Sequence, residues 1–162
     1  MISCVYPGSF DPVTKGHIHL ISRASQMFDR VTVTVMINIR KTGTIPVDRR
    51  VLLLRKACSS FSNVIIDQWS GLLSDYMQAH DEKIVIRGVR NAAEFEQEAA
   101  AFYANRQLNS GIETFFIPAD PVYTGISSSA VREIAAFGGD IASFVPDGLA
   151  EEINTLLSNK IN

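Results

Sequence analysis

Five short apolar runs, each followed by a segment with helical spacing, constrain this chain more than any other feature. The runs are Ile2–Tyr6, Val31–Ile37, Val64–Ile66, Ile84–Ile86 and Glu113–Ile117, and most are rich in β-branched residues. Between and after them, apolar residues recur at helical intervals: Ile18, Ile21, Ala24 and Phe28; Val51, Leu54 and Cys58 within Asp48–Phe61; and Leu72 to Ala79. The series continues with Ala92, Phe95, Ala99 and Phe102 on one expected face of Ala92–Leu108, then Ser127–Phe137 and Leu149–Ile161. Strands alternating with helices form parallel sheets, because each crossover returns the chain over one face of the sheet. The expectation is an α/β fold: a Rossmann-like open five-stranded parallel sheet with helices on both faces. At 162 residues and 46% hydrophobic content, it is expected to form a single domain over 1–162.

In such sheets ligands bind outside the carboxyl ends of the strands, so the loops that follow strands carry the functional expectation. The first, Tyr6-Pro7-Gly8-Ser9-Phe10-Asp11-Pro12-Val13-Thr14-Lys15-Gly16-His17, is a strand end, a glycine-bearing turn and a helix start in succession. Gly8 and Gly16 let a ligand approach the backbone, and unpaired N–H groups at a helix start favour an anion that His17 could also reach. Arg40 and Lys41 follow the second strand, Leu72 and Leu73 the third. Arg87-Gly88-Val89-Arg90 reads as a small basic turn after the fourth, where guanidinium forks suit phosphate. After the fifth strand comes Tyr123 to Ser129, in which Ile126-Ser127-Ser128-Ser129 opens a helix. One serine can cap it, and three hydroxyls with free N–H groups make a phosphate nest. These loops should converge on one rim.

Composition removes several other functions. The net charge of −2 and pI near 5.9 show no basic surplus for nucleic acid or an anionic membrane. No apolar run approaches the roughly 20 residues that span a bilayer, and no basic leader precedes the first strand, so a cytoplasmic start is expected. Cys4 and Cys58 lack metal-ligand spacing and read as buried thiols in a reducing compartment. There is no G-x-S-x-G elbow, no H-E-x-x-H and no P-loop, and His19 and His80 read as surface residues. The sequence offers no dedicated cluster of metal ligands.

Thr14-Lys15-Gly16-His17 fits the T/H-x-G-H signature of the nucleotidylyltransferase superfamily, and Ile126 to Arg132 fits its I-S-S-S/T-x-x-R motif. With Tyr-Pro-Gly-Ser-Phe-Asp-Pro before the first signature, Arg87-Gly88-Val89-Arg90, and the acidic Glu94-Phe95-Glu96-Gln97-Glu98, the chain resembles the phosphopantetheine adenylyltransferases over nearly its whole length. The resemblance implies that ATP is held by Ser9, Phe10, His17, Gly88, Val89, Arg90, Glu98, Tyr123, Thr124, Gly125, Ile126, Ser127, Ser128 and Ser129. It implies that 4′-phosphopantetheine is held by Ser9, Lys41, Leu73 and Arg87, with His17, Lys41 and Arg87 as catalytic donors. It further implies Mg²⁺ on the ATP phosphates and a homohexamer in the cytoplasm, with neither nucleic acid nor membrane as partner. Departures from the family pattern are Gly125 in place of a frequent aromatic, Gln97 in place of a tyrosine, and Asp48-Arg49-Arg50 in place of Glu-Glu-Arg. They bear on adenine packing and feedback-ligand contacts and leave the phosphate-handling groups unchanged. The residues leave open a relative with another acceptor, such as glycerol-phosphate cytidylyltransferase or nicotinamide-mononucleotide adenylyltransferase, and a nucleotide-binding regulatory module without turnover.

Overall fold

A computed structural model describes residues 1–38 and 43–158. Its elements follow the order β1 (Ser3–Gly8), α1 (Lys15–Met27), β2 (Arg30–Ile37), α2 (Val47–Ala57), β3 (Val64–Ser70) and α3 (Leu73–Ala79). After these come β4 (Ile84–Val89), α4 (Ala92–Leu108), β5 (Glu113–Pro118), a 3₁₀ turn (Pro121–Tyr123), α5 (Ser128–Ala136) and α6 (Ala150–Ser158). The five strands lie in the order β3-β2-β1-β4-β5, every pair parallel. The order therefore reverses beside β1, which is where an open α/β sheet leaves a crevice.

Side-chain alternation along the strands separates two layers. Cys4 and Tyr6 of β1, Val31, Val33 and Val35 of β2 and Ile86 of β4 pack with Ile21 of α1, Leu54 of α2, Val131 of α5 and Ile153 of α6. Val5 and Val85 point the other way, into a much smaller cluster with Tyr76 and Met77 of α3 and Ile112. Helices thus cover both faces, as the alternation of strands and helices predicts.

Several elements differ from expectation, and α2 ends at Ala57 rather than Phe61 because Cys58 leaves helical geometry at φ −100° and ψ 8°. β3 continues through Trp69 and Ser70 rather than stopping at Ile66, because its ladder to β2 runs on to the Ile37–Ser70 pair. The expected basic turn begins inside a strand: Arg87, Gly88 and Val89 pair with Phe116, Ile117 and Pro118 of β5, leaving only Arg90 beyond the strand end. Alternation then sends Arg87 and Gly88 to opposite faces. α4 has the expected bounds but buries no residue; Ala92 is exposed, and so is Phe95, at 44%. Its alanines and aromatics are spread around the helix rather than gathered in a stripe, so packing one face leaves others in solvent. The last helix is described over Ala150–Ser158, and its expected end at Ile161 lies outside the described residues.

Candidate active site

β1 contacts β2 along its length, but its recorded pairing with β4 is the single match of Val5 with Val85. Pro7 has no N–H to offer a neighbouring strand, and its carbonyl accepts from Nη1 of Arg87 instead. The carboxyl ends of β1 and β4 open here into two adjoining clefts of about 360 and 870 Å³, and both are walled by Pro7, Gly8, Ser9, Arg87 and Glu98.

The smaller cleft lies on the thickly packed side. At its base Phe10 holds a left-handed backbone, φ 47°, and its ring is fully enclosed. Such a conformation costs a non-glycine residue about 1–3 kcal/mol and persists only where its surroundings over-determine it. Here the ring meets Tyr6 and His17 edge-on, at centroid distances of 5.3 and 5.0 Å. A Cβ on residue 8 would come within 2.9 Å of that ring, which explains the glycine. Asp11 follows and is buried, accepting from the N–H groups of Thr44 and Ile45 at 2.7 and 2.8 Å. Arg50, which keeps the arginine of the family's Glu-Glu-Arg pattern, is buried too and donates to the carbonyls of Ile45 and Ser9 at 2.9 and 2.8 Å. Together they tie the loop after β1 to the end of the loop after β2.

Thr14 and His17 form a reciprocal capping box at the start of α1. The Thr14 N–H donates to His17 Nδ1 at 3.0 Å, which leaves the ring proton of a neutral imidazole on Nε2. Burial first, then the charges of Arg87 and Arg90, lower the His17 pKa to about 4. His17 is therefore a neutral donor at physiological pH, fixed in orientation by the helix it caps.

Across the cleft, Ser127 is the serine that caps α5, accepting from the Ala130 N–H at 3.1 Å. Ser128 Oγ donates to the Pro12 carbonyl at 2.7 Å. Arg132 Nη2 donates to Ser129 Oγ at 3.2 Å, and its Nη1 donates to the Asp11 carbonyl. On the β4 side, Arg87 pairs with Glu98 through Nε, at 2.7 Å, and Nη2. Arg90 pairs with Glu94, and hydrogen bonds from Arg90 hold the Glu94 carboxyl below its ordinary range.

Of the residues expected at ATP, Ser9, Phe10, His17, Gly88, Arg90, Glu98, Tyr123, Ile126, Ser127, Ser128 and Ser129 line the smaller cleft. Val89, Thr124 and Gly125 are not part of that lining. A Cβ at Gly125 would meet nothing within 4 Å, so its lack of an aromatic leaves open space. Among the residues expected at the acceptor, Ser9, Leu73 and Arg87 line the larger cleft. Arg40 and Lys41 lie outside the described residues.

His19, expected at the surface, is half-buried. It lines the smaller cleft with its ring 4.7 Å from that of Tyr123, a place that spacing alone did not give it. Other lining residues received no role from sequence. Arg132 carried a signal as the last residue of its motif, whereas Arg23 had none, being two turns inside α1; it donates to the Pro118 carbonyl at 2.7 Å. The larger cleft adds Met36 and Ile37 from β2 and Ala101, Phe102 and Asn105 from α4, residues that meet only through the fold.

Several known proteins resemble this chain. The cytidylyltransferase-like family model matches residues 5–134. A phosphopantetheine adenylyltransferase of Dictyoglomus turgidum is 47% identical over 153 residues, 94% of this chain and 96% of that protein. One from Clostridium perfringens is 41% identical over 155 residues, covering 96% and 94% respectively, and one from Finegoldia magna is 42% identical over 156 residues, 96% of each. Among solved structures, a Vibrio parahaemolyticus protein with the provisional name nicotinate-nucleotide adenylyltransferase superposes with a TM-score of 0.67, over 99% of this chain and 94% of its own. At 18% identity that likeness speaks to the fold alone. By its full-length similarity to the curated relatives, and by the family model spanning most of its length, this chain belongs to the phosphopantetheine adenylyltransferases of the cytidylyltransferase-like family.

Proposed function

We infer that this protein transfers the adenylyl group of ATP to 4′-phosphopantetheine, giving dephospho-coenzyme A and pyrophosphate. The observation that carries the reading to these residues is the pair of clefts that share Ser9 and Arg87 in one wall. A nucleotide in the smaller cleft and an elongated acceptor in the larger would bring two phosphates to that wall. There an oxygen of the acceptor phosphate attacks the α-phosphorus of ATP, the bond from that phosphorus to the bridging oxygen breaks, and pyrophosphate leaves. No side-chain nucleophile is needed; the work is alignment and stabilisation of developing charge. His17, Arg87 and Lys41 supply the donors, and Ser9 positions phosphate.

Mg²⁺ would neutralise charge on the ATP phosphates. The reading is of a metal that arrives on its substrate and keeps its waters, and it is supported by Glu94 and Glu98, whose carboxylates in the smaller cleft already receive arginine hydrogen bonds. The homohexamer belongs to the same proposal. It is supported by Phe95, Tyr103 and Leu108 on α4, which are 44%, 66% and 62% exposed in a single chain, and light scattering of the protein in solution tests it. Cytoplasmic residence is likewise a proposal, supported by the free buried thiols of Cys4 and Cys58.

A panel of acceptors tests the central reading. Pyrophosphate release should be fastest with ATP and phosphopantetheine, and much slower with glycerol phosphate or nicotinamide mononucleotide as acceptor, or with CTP in place of ATP as donor. A better rate with one of these acceptors would reassign the larger cleft.

A further inference from the structure

Arg90 stands between the end of β4 and the start of α4, and its contacts are unusually complete for a residue in a connection. Its backbone N–H donates to Glu94 Oε2 at 2.7 Å, its Nε donates to Glu94 Oε1 at 3.0 Å, and its Nη2 also donates to Oε1. The remaining Nη1 donates to the carbonyl of Ile126 at 3.0 Å. Ile126 directly precedes Ser127, the cap of α5. One carboxylate thus orients a guanidinium that reaches from the β4 side of the smaller cleft to the serine loop opposite. Glu94 is itself positioned, because its backbone N–H donates to Oδ1 of the α4 cap Asn91 at 2.9 Å. A bidentate carboxylate fixes a guanidinium in plane as well as in place, and Glu94 lines the same cleft as the serines it steadies.

We propose that Glu94 is a positioning residue for the nucleotide: by holding Arg90 against Ile126 it fixes the distance between the β4 end and the Ser127–Ser129 loop. Glu94 itself need not touch the nucleotide. The proposal rests on the reading that ATP occupies the smaller cleft, and it does not depend on which acceptor is used.

The test is calorimetry of Mg·ATP binding to the full chain without acceptor, together with KM measured for each substrate. Glu94→Ala should weaken ATP binding about tenfold, the scale of a lost charged hydrogen bond, and leave the KM for phosphopantetheine unchanged. Because Glu94 acts through Arg90, the double variant Glu94→Ala/Arg90→Ala should bind ATP no worse than Arg90→Ala alone. Glu94→Gln keeps an acceptor for the Arg90 N–H without the charge and should recover part of the loss; it carries the comparison if the alanine variant does not fold. Unchanged ATP binding, additive losses in the double variant, or equal weakening of both substrates would overturn the proposal, the last pointing to a general structural role. Native protein that binds ATP but releases no pyrophosphate with phosphopantetheine would defeat the proposed reaction and leave the Glu94 comparison readable.

Discussion

The two faces of the sheet are built differently, and each cleft takes its character from the face it adjoins. On one side α1, α2, α5 and α6 contribute fully buried residues such as Ile21, Leu54, Val131 and Ile153 to a single cluster. The smaller cleft on that side is polar and tightly cross-linked: His17 is locked by its capping box, and the serine loop is tied to Pro12 and Asp11. On the other side, among the described residues, the buried cluster comprises Val5, Tyr76, Met77, Val85 and Ile112, to which α3 contributes and α4 does not. The larger cleft there is bordered by exposed or half-buried apolar side chains including Leu72, Leu73 and Phe102. A deep core over-determines side-chain positions, whereas a thin one leaves adaptable apolar surface. The difference matches the two proposed occupants, a triphosphate that needs fixed donors and an elongated, partly apolar arm that needs room.

Stability gives the most direct way to break the comparison. Leu54→Ala, on the thick side, should cost about 2–5 kcal/mol in denaturant unfolding. Phe95→Ala on α4 should cost under about 1 kcal/mol, because its ring is partly in solvent. Comparable losses would mean that the thin side is stiffened by contacts beyond this single chain. His17→Ala should lower kcat about 10²–10³-fold with little change in ATP affinity, since a neutral donor fixed at a helix start serves developing charge. Near-normal turnover would remove the imidazole from the mechanism.

The same imidazole sets a pH dependence. Its folded pKa lies near 4, below the ordinary 6.5, so between those values the unfolded chain binds a proton that the folded chain refuses. Its stabilisation is therefore complete above pH 6.5 and is lost as pH falls toward 4, by an amount on the order of 3 kcal/mol. Unfolding curves from pH 7 to 4 should fall more steeply for the native protein than for His17→Gln, and parallel curves would show that the buried ring is not kept neutral. On the thin side, Leu73→Asp should raise the KM for phosphopantetheine about tenfold while the KM for ATP stays constant. An equal rise in both would merge the two clefts into one functional unit.

The order of elements was legible in the chain, because strand and helix periodicities are local: five strand runs and the bounds of Ala92–Leu108 can be read from side-chain spacing. The sequence also marked the loops after β1 and before α5, where glycine, serine and histidine stand in patterns that reflect backbone needs at a helix start. What it could not supply depends on partners distant in the chain. Arg87 and Arg90 look alike as neighbours, yet the ladder to β5 runs through Val89, which sends Arg87 to Glu98 and the Pro7 carbonyl while Arg90 spans from Glu94 to Ile126. The places of His19 and Arg23 in the cleft, and of Phe102 in the other, were equally hidden, since which face of a helix meets a ligand depends on what covers the remaining faces. Only the assembled sheet made two clefts meet at one wall, because that follows from the reversal of strand order beside β1 rather than from any local segment.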